Sequence, residues 1–187
     1  MLKAVQAELQ AFGKYVVQQS RTNLTKGGYK KKGHNVTREL YNSVKYEVSE
    51  ETNKYTLSFI MQEYGTFLDK GVKGTKSNYI ENKNSPYSYR NKKPPMQPLA
   101  DWAKQRNIRL REYKIVDGKK KSTGRFAKGS YKTIGFLLQK SIFKKGIKAT
   151  MFFTKPFEVA FKRYKKEINK TLMQDIIDSI NLNNEQN

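Results

Sequence analysis

Cysteine is absent from the 187 residues of the chain, and histidine occurs only once, at His34. Without cysteine the protein can form no disulfide bond, no thiolate zinc site and no cysteine nucleophile. This composition fits a protein that is made in a reducing cytoplasm. His34 lies in a stretch of glycine and lysine, so a solvated loop side chain is a better interpretation of this residue than a catalytic base.

Long hydrophobic runs are also missing. The longest ones, such as residues 135–138, cover only a few positions, and no segment is therefore predicted to span a bilayer. Charged residues interrupt the N-terminal residues, which consequently lack the apolar core of a signal peptide. With 36% hydrophobic residues, the chain predicts one domain with a modest core and long polar segments outside it.

Acidic residues are scarce relative to basic ones. The chain has 16 Asp and Glu against 38 Lys and Arg, which gives a formal net charge of +22. Self-repulsion on this scale disfavours a compact isolated monomer unless counterions or an acidic partner compensate. Two interpretations stay open: a generally lysine-rich surface, which the abundance of Asn and Tyr also fits, or a surface that faces nucleic acid or an acidic protein ring.

Hydrophobic periodicity predicts the elements of the N-terminal third. A helix is predicted over residues 2–19, where apolar residues recur at steps of three and four. The members of this stripe are Leu2, Val5, Leu9, Phe12 and Val16. Residues 44–48 and 55–61 then alternate between apolar and polar positions on either side of a polar turn. This alternation predicts an antiparallel hairpin with one buried face.

The middle of the chain has weaker patterns. Residues 70–95 show no periodicity and are rich in Gly, Asn, Ser, Lys, Tyr and Pro, which predicts a functional or disordered loop. Pro98 is expected to open a short helix that ends at about Arg106, with Leu99 and Trp102 facing inward. Trp102 is therefore interpreted as a core residue.

Two further helices are predicted in the C-terminal half. Ser130 is expected to cap the first, which ends at Gly146. Its apolar side comprises Ile134, Leu137, Leu138, Ser141 and Ile142. After a strand or extended link at residues 148–153, Thr154 and Pro156 are expected to start the longest helix. Its stripe comprises Phe157, Phe161, Tyr164, Ile168, Leu172, Ile176 and Ile180.

These elements predict an α+β fold, with a small antiparallel sheet packed by long N- and C-terminal helices and with basic loop insertions. The chain is expected to be one domain over residues 1–187. Its insertion is placed at about residues 70–146, and its tail at residues 181–187 is expected to fray.

Catalytic and metal-binding patterns are weak. No group of His, Cys, Asp and Glu has the spacing of metal ligands, and no glycine pattern predicts a phosphate-binding loop. Glu63 and Asp69 flank Tyr64-Gly65 and could face one another. Two acids near a turn are more often solvated or paired with a lysine, such as Lys70, than catalytic. The sequence therefore predicts no catalytic, cofactor or metal site.

The segment from Lys104 to Lys148 carries fifteen Lys or Arg against two acids. Clustered cations bind phosphates through counterion release, without reading the base sequence. Asp117-Gly118 is a two-residue turn signal, and the arm after it has no apolar face. This predicts a basic, poorly packed projection over residues 109–128. The candidate contacts to nucleic acid or a partner protein are Lys119, Lys120, Lys121, Arg125 and Lys128.

A second basic region contains tyrosines. Tyr79, Tyr87 and Tyr89 lie near Arg90 and several lysines, a mixture that also occurs in proteins that bind single strands. A solvated loop that contains tyrosines is the preferred interpretation. No recognised DNA-binding motif is present, so sequence-specific binding is not expected.

The order of the segments resembles the tail-completion, or head–tail joining, family of tailed bacteriophages. The short helix and strand start at residues 37–44 are similar to one motif of that family, and Glu63-Tyr64-Gly65 with residues 69–74 to another. Residues 155–157 are similar to the Pro-Phe motif that opens its C-terminal helix. Residues 99–103 and 134–147 resemble inserted helices of larger members, whereas the basic projection has no counterpart.

The resemblance implies a structural virion protein that forms a ring of identical subunits at the head–tail junction, around the DNA channel. Its expected partners are further copies of itself, portal, connector or tail proteins, and genomic DNA through nonspecific contact, with no membrane. It would assemble in the bacterial cytoplasm and reside in the virion, without enzymatic activity or cofactor. The alternative is a free-standing, nonspecific nucleic-acid-binding protein; a small nuclease is disfavoured because acid clusters are scarce and there is a single histidine.

Overall fold

The structure, a computed structural model, describes residues 3–26, 38–51, 54–76 and 79–185, with side chains from residue 4 to residue 177 of those ranges. His34 and Leu2 therefore lie outside the described residues. The elements in chain order are α1 (Lys3–Lys26), α2 (Glu39–Ser43), β1 (Lys45–Glu51), β2 (Lys54–Ile60), α3 (Tyr64–Lys70), β3 (Val72–Lys73), α4 (Met96–Gln105), β4 (Arg111–Val116), β5 (Lys119–Phe126), α5 (Tyr131–Lys145), β6 (Gly146–Ile147) and α6 (Thr154–Glu185). They confirm the predicted α+β class.

The chain divides into two compact units. The terminal unit comprises Met1–Asp69 together with Thr150–Asn187, and the inserted unit comprises Lys70–Ala149. Each described sheet has two antiparallel strands: β1 with β2 in the terminal unit, and β3 with β6 and β4 with β5 in the inserted unit.

Helix α1 continues well beyond the predicted end at residue 19, as far as Lys26. The added residues are polar except Leu24, which is buried in the core. The hydroxyls of Thr22 and Thr25 donate to the carbonyl oxygens of Gln18 and Arg21, at 2.9 and 3.0 Å. Burial of Leu24 in the core thus stabilises α1 through a segment with weak helical periodicity.

Hairpin β1–β2 is confirmed, and one of its faces contributes to the core. Tyr46 lies opposite Phe59 and Val48 lies opposite Leu57, so Leu57 and Phe59 are both on the inward face. Phe59 contacts the rings of Phe12, Phe153 and Phe157 at centroid distances of 6.1, 5.2 and 5.9 Å. The core of the terminal unit therefore lies between this face and helices α1 and α6, with aromatic side chains at its centre.

Helix α6 begins at Thr154, as predicted, and runs antiparallel to α1. The predicted stripe is only partly covered, since Phe161 and Ile176 are exposed. The helix reaches Glu185 and thus includes residues 181–185 of the predicted tail. Residues 148–153 form an irregular link, because the strand before them ends at Ile147.

Helices α4 and α5 pack closely in the inserted unit. Ala100 and Ala103 are buried, and an added Cβ at Gly135 of α5 would lie 2.9 Å from the Cβ of Ala100. This contact between small residues corrects the prediction that Trp102 is a core residue, since Trp102 is 39% exposed. Leu137, on the apolar side of α5, is 44% exposed. Close approach of the two helices leaves no room for large side chains at their crossing, so these project outward.

Residues 70–95, predicted to be a functional or disordered loop, make ordered contacts in their described part. Asn82, in a 3-10 turn at Ile80–Asn82, is fully buried. Its amide donates to the carbonyl oxygens of Val72 and Ile147 at 2.9 and 2.7 Å, and its side-chain oxygen accepts from the Ala149 N–H at 2.8 Å. One polar side chain thus joins three backbone segments at the base of the inserted unit.

Candidate nucleic-acid interface

The positive charge of the protein is concentrated in one of its two units. The inserted unit has 22 Lys and Arg against four Asp and Glu, for a net charge of +18. The terminal unit is longer but has 16 basic against 12 acidic residues, for a net charge of +4. A general lysine enrichment of the whole surface would not produce this difference, so the inserted unit is the candidate for binding a polyanion.

Hairpin β4–β5 of the inserted unit carries most of the basic residues that were predicted as contacts. Its tight turn was predicted from Asp117-Gly118. Both residues have positive φ angles, 53° and 70°, as a two-residue type I′ turn requires. The turn directs the two arms into a right-handed twist, and each arm forms a full strand although β5 carries few apolar residues. Backbone pairing thus stabilises the predicted basic projection as a hairpin.

The predicted lysines divide between the two faces of this hairpin. Lys121 lies opposite Lys114, and Lys119 lies opposite Val116, which places Lys114, Lys119 and Lys121 on one face. Lys120 lies opposite Ile115 on the other face. The structure therefore brings two of the predicted contacts together with Lys114, which is not among the predicted contacts.

The pair of lysines on this face carries an electrostatic cost. Like charges directly opposite each other on neighbouring strands destabilise a hairpin, and both Lys114 and Lys121 are exposed. The nearest acid on the same face is Glu112, which accepts a hydrogen bond from the Thr123 hydroxyl at 3.0 Å. A polyanion along this face would remove the repulsion between the lysines, because each phosphate would offer them a counter-charge.

Arg125 and Lys128 lie at the other end of the hairpin. The register shifts between Arg111 and Tyr113, and Gly124 on the opposite strand has a φ of 75°, which indicates a bulge. Arg125 follows the bulge, Lys128 follows the end of β5, and both are exposed. The five predicted contacts are thus spread along the hairpin and over both of its faces, and they do not form a single cluster.

The second face of the hairpin carries exposed apolar side chains beside Lys120. Ile115 is 74% exposed, and Tyr113 on the same face and Phe126 near the bulge are also exposed. Among the described residues of the two strands, only Glu112 and Thr123 are partly buried. A two-stranded hairpin without a packed face is marginally stable in water, so this one is suited to a partner that covers it.

The three tyrosines of the second basic region are engaged within the inserted unit. Lys148 lies over the ring of Tyr79 at 5.8 Å, and Tyr89 packs on Phe143 with ring centroids 6.1 Å apart. Burial raises the pKa of the Tyr89 phenol above its ordinary value. Tyr87 is half-buried, and its carbonyl oxygen accepts from the Lys73 N–H. The ring contacts assign Tyr79 and Tyr89 to packing within the inserted unit.

The acids around Glu63-Tyr64-Gly65 have separate roles. Glu63 is exposed, whereas Asp69 is buried at the start of α6. Asp69 accepts from the N–H groups of Phe153 and Thr154 at 2.8 and 3.1 Å and also bonds the Thr154 hydroxyl. It thereby caps the helix N-terminus, where a negative charge is stabilising. The sequence missed this cap because it joins residues 84 and 85 positions apart.

Tyr64 lies between these acids. Partial burial raises the pKa of its phenol, and the carboxylate of Glu39 adds to the rise.

The described part of the chain contains no group of three or more side chains suited to hold a metal ion. Within the same residues, no helix combines the length and the apolar character needed to cross a membrane.

Comparison with known proteins assigns no family. No protein-family model, curated protein or solved structure matches the chain.

Proposed function

We propose that this chain is a structural subunit of a tailed-phage virion, which forms a homo-oligomeric ring at the head–tail junction around the DNA channel. In this proposal the terminal unit carries the assembly fold and the inserted unit faces the DNA. Portal, connector or tail proteins are the neighbouring partners, and the protein works by assembly and not by catalysis.

Contacts among the motifs that resemble the tail-completion family support the assembly part of the proposal. An added Cβ at Gly65 would lie 2.8 Å from Leu40, so the Glu-Tyr-Gly segment packs on the short helix before the hairpin. Asp69 caps α6 directly before Pro156 and Phe157. Motifs that are far apart in the sequence thus meet in the terminal unit, which is expected if they belong to one fold.

The observation that carries the DNA-facing part is the unpacked basic hairpin on a unit of net charge +18. Flexible cations that project from a folded unit bind phosphates without sequence preference, as a protein that lines a DNA channel requires. A free-standing nonspecific DNA-binding protein would have the same hairpin. The two functions differ in whether the protein assembles into closed rings and is retained in particles.

Two measurements test the proposal together. A mass-spectrometric inventory of purified particles is expected to contain the protein at a low copy number relative to the capsid subunit. Electron microscopy of the isolated protein, with and without double-stranded DNA, is expected to show closed rings. Absence from particles together with DNA binding by a monomer would reject the ring and would favour the free-standing DNA-binding protein.

A further inference from the structure

A groove of about 800 Å³ opens in the terminal unit, in the range of sites that hold small ligands. It runs along α1 from Lys14 to Lys26 and is bounded on the other side by α2 and the start of β1. Val17, Tyr41 and Tyr46 supply its apolar surface. Its length along the helix is about 18 Å at 1.5 Å per residue.

The rim of this groove is cationic. Lys14, Arg21, Lys26 and Lys45 line it, and none of the lining residues that the structure describes is acidic. Arg21 is held in place, because it donates to the Val44 carbonyl oxygen at 3.0 Å and lies over the Tyr41 ring at 5.2 Å. A rigid guanidinium among aromatic rings and lysines is a recognition site for carboxylates.

The tip of hairpin β1–β2 has the complementary charge. Glu50 and Glu51 are exposed, and Lys54 opposite Glu51 is the one basic residue among the described residues of the tip. The described residues of the tip therefore carry a net charge of −1, in a chain whose net charge is +22. Tyr55 donates to Glu50 at 2.9 Å and orients that carboxylate.

Groove and tip lie at opposite ends of the same strand. Lys45 begins β1 and lines the groove, whereas Glu51 ends β1 at the tip. At about 3.3 Å per residue the two ends are about 20 Å apart, so a tip cannot enter the groove of its own chain. The tip of one copy can reach the groove of another, which produces a head-to-tail contact.

We infer that the acidic tip of one copy docks into the cationic groove of the next, and that this contact builds the ring. The inference rests on the proposed ring function and names the interface that forms it. Head-to-tail contacts close into rings when the rotation between copies is suitable. The terminal unit is the place where copies can meet, because its net charge is small and that of the inserted unit is +18.

Charge reversal on each side tests the docking. The tip variant is Glu50→Lys with Glu51→Lys, and the groove variant is Lys14→Glu with Lys26→Glu. Each variant alone is expected to stay monomeric in analytical ultracentrifugation at a concentration at which the unmodified protein assembles. An equimolar mixture of the two is expected to assemble again. In a ring where the variants alternate, the basic tip of one meets the acidic groove of the other, and the acidic tip of the second meets the cationic groove of the first.

Matched variants on α6 control for the change in net charge. Glu158→Lys with Glu167→Lys, and Lys162→Glu with Lys166→Glu, alter exposed residues and are expected to leave assembly unchanged. Circular dichroism checks that every variant is folded.

The outcomes separate the docking from the ring itself. If the unmodified protein assembles and both reversed variants assemble equally well, the docking is rejected and the ring stands. If only the groove variant loses assembly, the groove binds another acidic partner and docking of the tip is rejected. An unmodified protein that is monomeric under all conditions, with and without DNA, rejects both.

Discussion

Hairpin β1–β2 in the terminal unit and hairpin β4–β5 in the inserted unit have the same antiparallel topology but opposite relations to the core. In the first, apolar residues alternate on both strands, and Leu57 and Phe59 pack inward. In the second, only β4 alternates, and Ile115 stays exposed. One face of a hairpin is buried in the core when both strands contribute apolar side chains to that face. Otherwise the face remains accessible to a partner.

The two units also differ in how they are held together. Aromatic side chains from α1, β2 and α6 fill the terminal unit. In the inserted unit, described contacts include the crossing of α4 and α5 at small residues and the buried amide of Asn82. Structural stability should therefore respond to apolar changes in the terminal unit and to polar changes at the base of the inserted unit.

The largest expected effect is on the terminal hairpin. Phe59→Asp should prevent folding, because a carboxylate among the rings of Phe12, Phe153 and Phe157 costs several kcal/mol, about the whole stability of a small domain. Leu57→Asp on the same face should act similarly. The matched control is Ile115→Asp on the exposed hairpin, which should leave the thermal midpoint nearly unchanged. Equal midpoints for Phe59→Asp and Ile115→Asp would contradict the difference between the hairpins.

The next effect concerns DNA binding by the inserted hairpin. Replacement of Lys119, Lys120, Lys121, Arg125 and Lys128 by Gln should leave the fold intact and weaken DNA binding. The slope of log affinity against log salt should flatten by about 0.9 for each phosphate that the variant no longer neutralises. A filter-binding salt titration measures both quantities.

The control for this change neutralises the same number of charges on α6. The exposed residues to replace are Lys162, Arg163, Lys165, Lys166 and Lys170. If both sets of replacements weaken DNA binding equally, net charge and not the hairpin determines affinity. If DNA binding is normal and assembly into particles fails, the hairpin contacts an acidic neighbouring protein instead.

Asn82→Ala should destabilise the inserted unit by about 2–3 kcal/mol, because it leaves the Val72 and Ile147 carbonyl oxygens and the Ala149 N–H without their partner. Denaturant unfolding followed by amide exchange locates the destabilised region. It is expected in residues 70–95 and at the β3–β6 pair, while the aromatic core keeps its protection. A uniform decrease in protection over both units would show that they unfold together.

The smallest effect is expected from Lys121→Glu. Opposite charges would replace the repulsion between this position and Lys114, and cross-strand charge pairs of this kind slow local opening by about two- to fivefold. Amide exchange of β4 and β5 measures the change. The same variant should bind DNA more weakly, so local stability and function would move in opposite directions. Faster exchange in the variant would show that the lysines are not in repulsive contact.

Local patterns predicted the elements whose signals lie within a few residues. The turn at Asp117-Gly118, the cap at Ser130 and the start of α6 at Thr154 were all predicted and are all present. Each depends on backbone conformations or hydrogen bonds that neighbouring residues make with one another. The candidate basic site was predictable for the same reason, since the exposure of five cations on an arm without an apolar face needs no distant contact.

The sequence by itself therefore determined the α+β class, the terminal hairpin, the turn at Asp117-Gly118 and the concentration of charge in the middle of the chain. Tertiary structure alone decided that Trp102 faces outward, because the crossing of α4 and α5 at Ala100 and Gly135 admits only small residues. It also decided that Asp69 caps a helix that begins 85 residues later. Both outcomes depend on the proximity of segments far apart in the chain, and periodicity within one segment carries no information about the surface it meets.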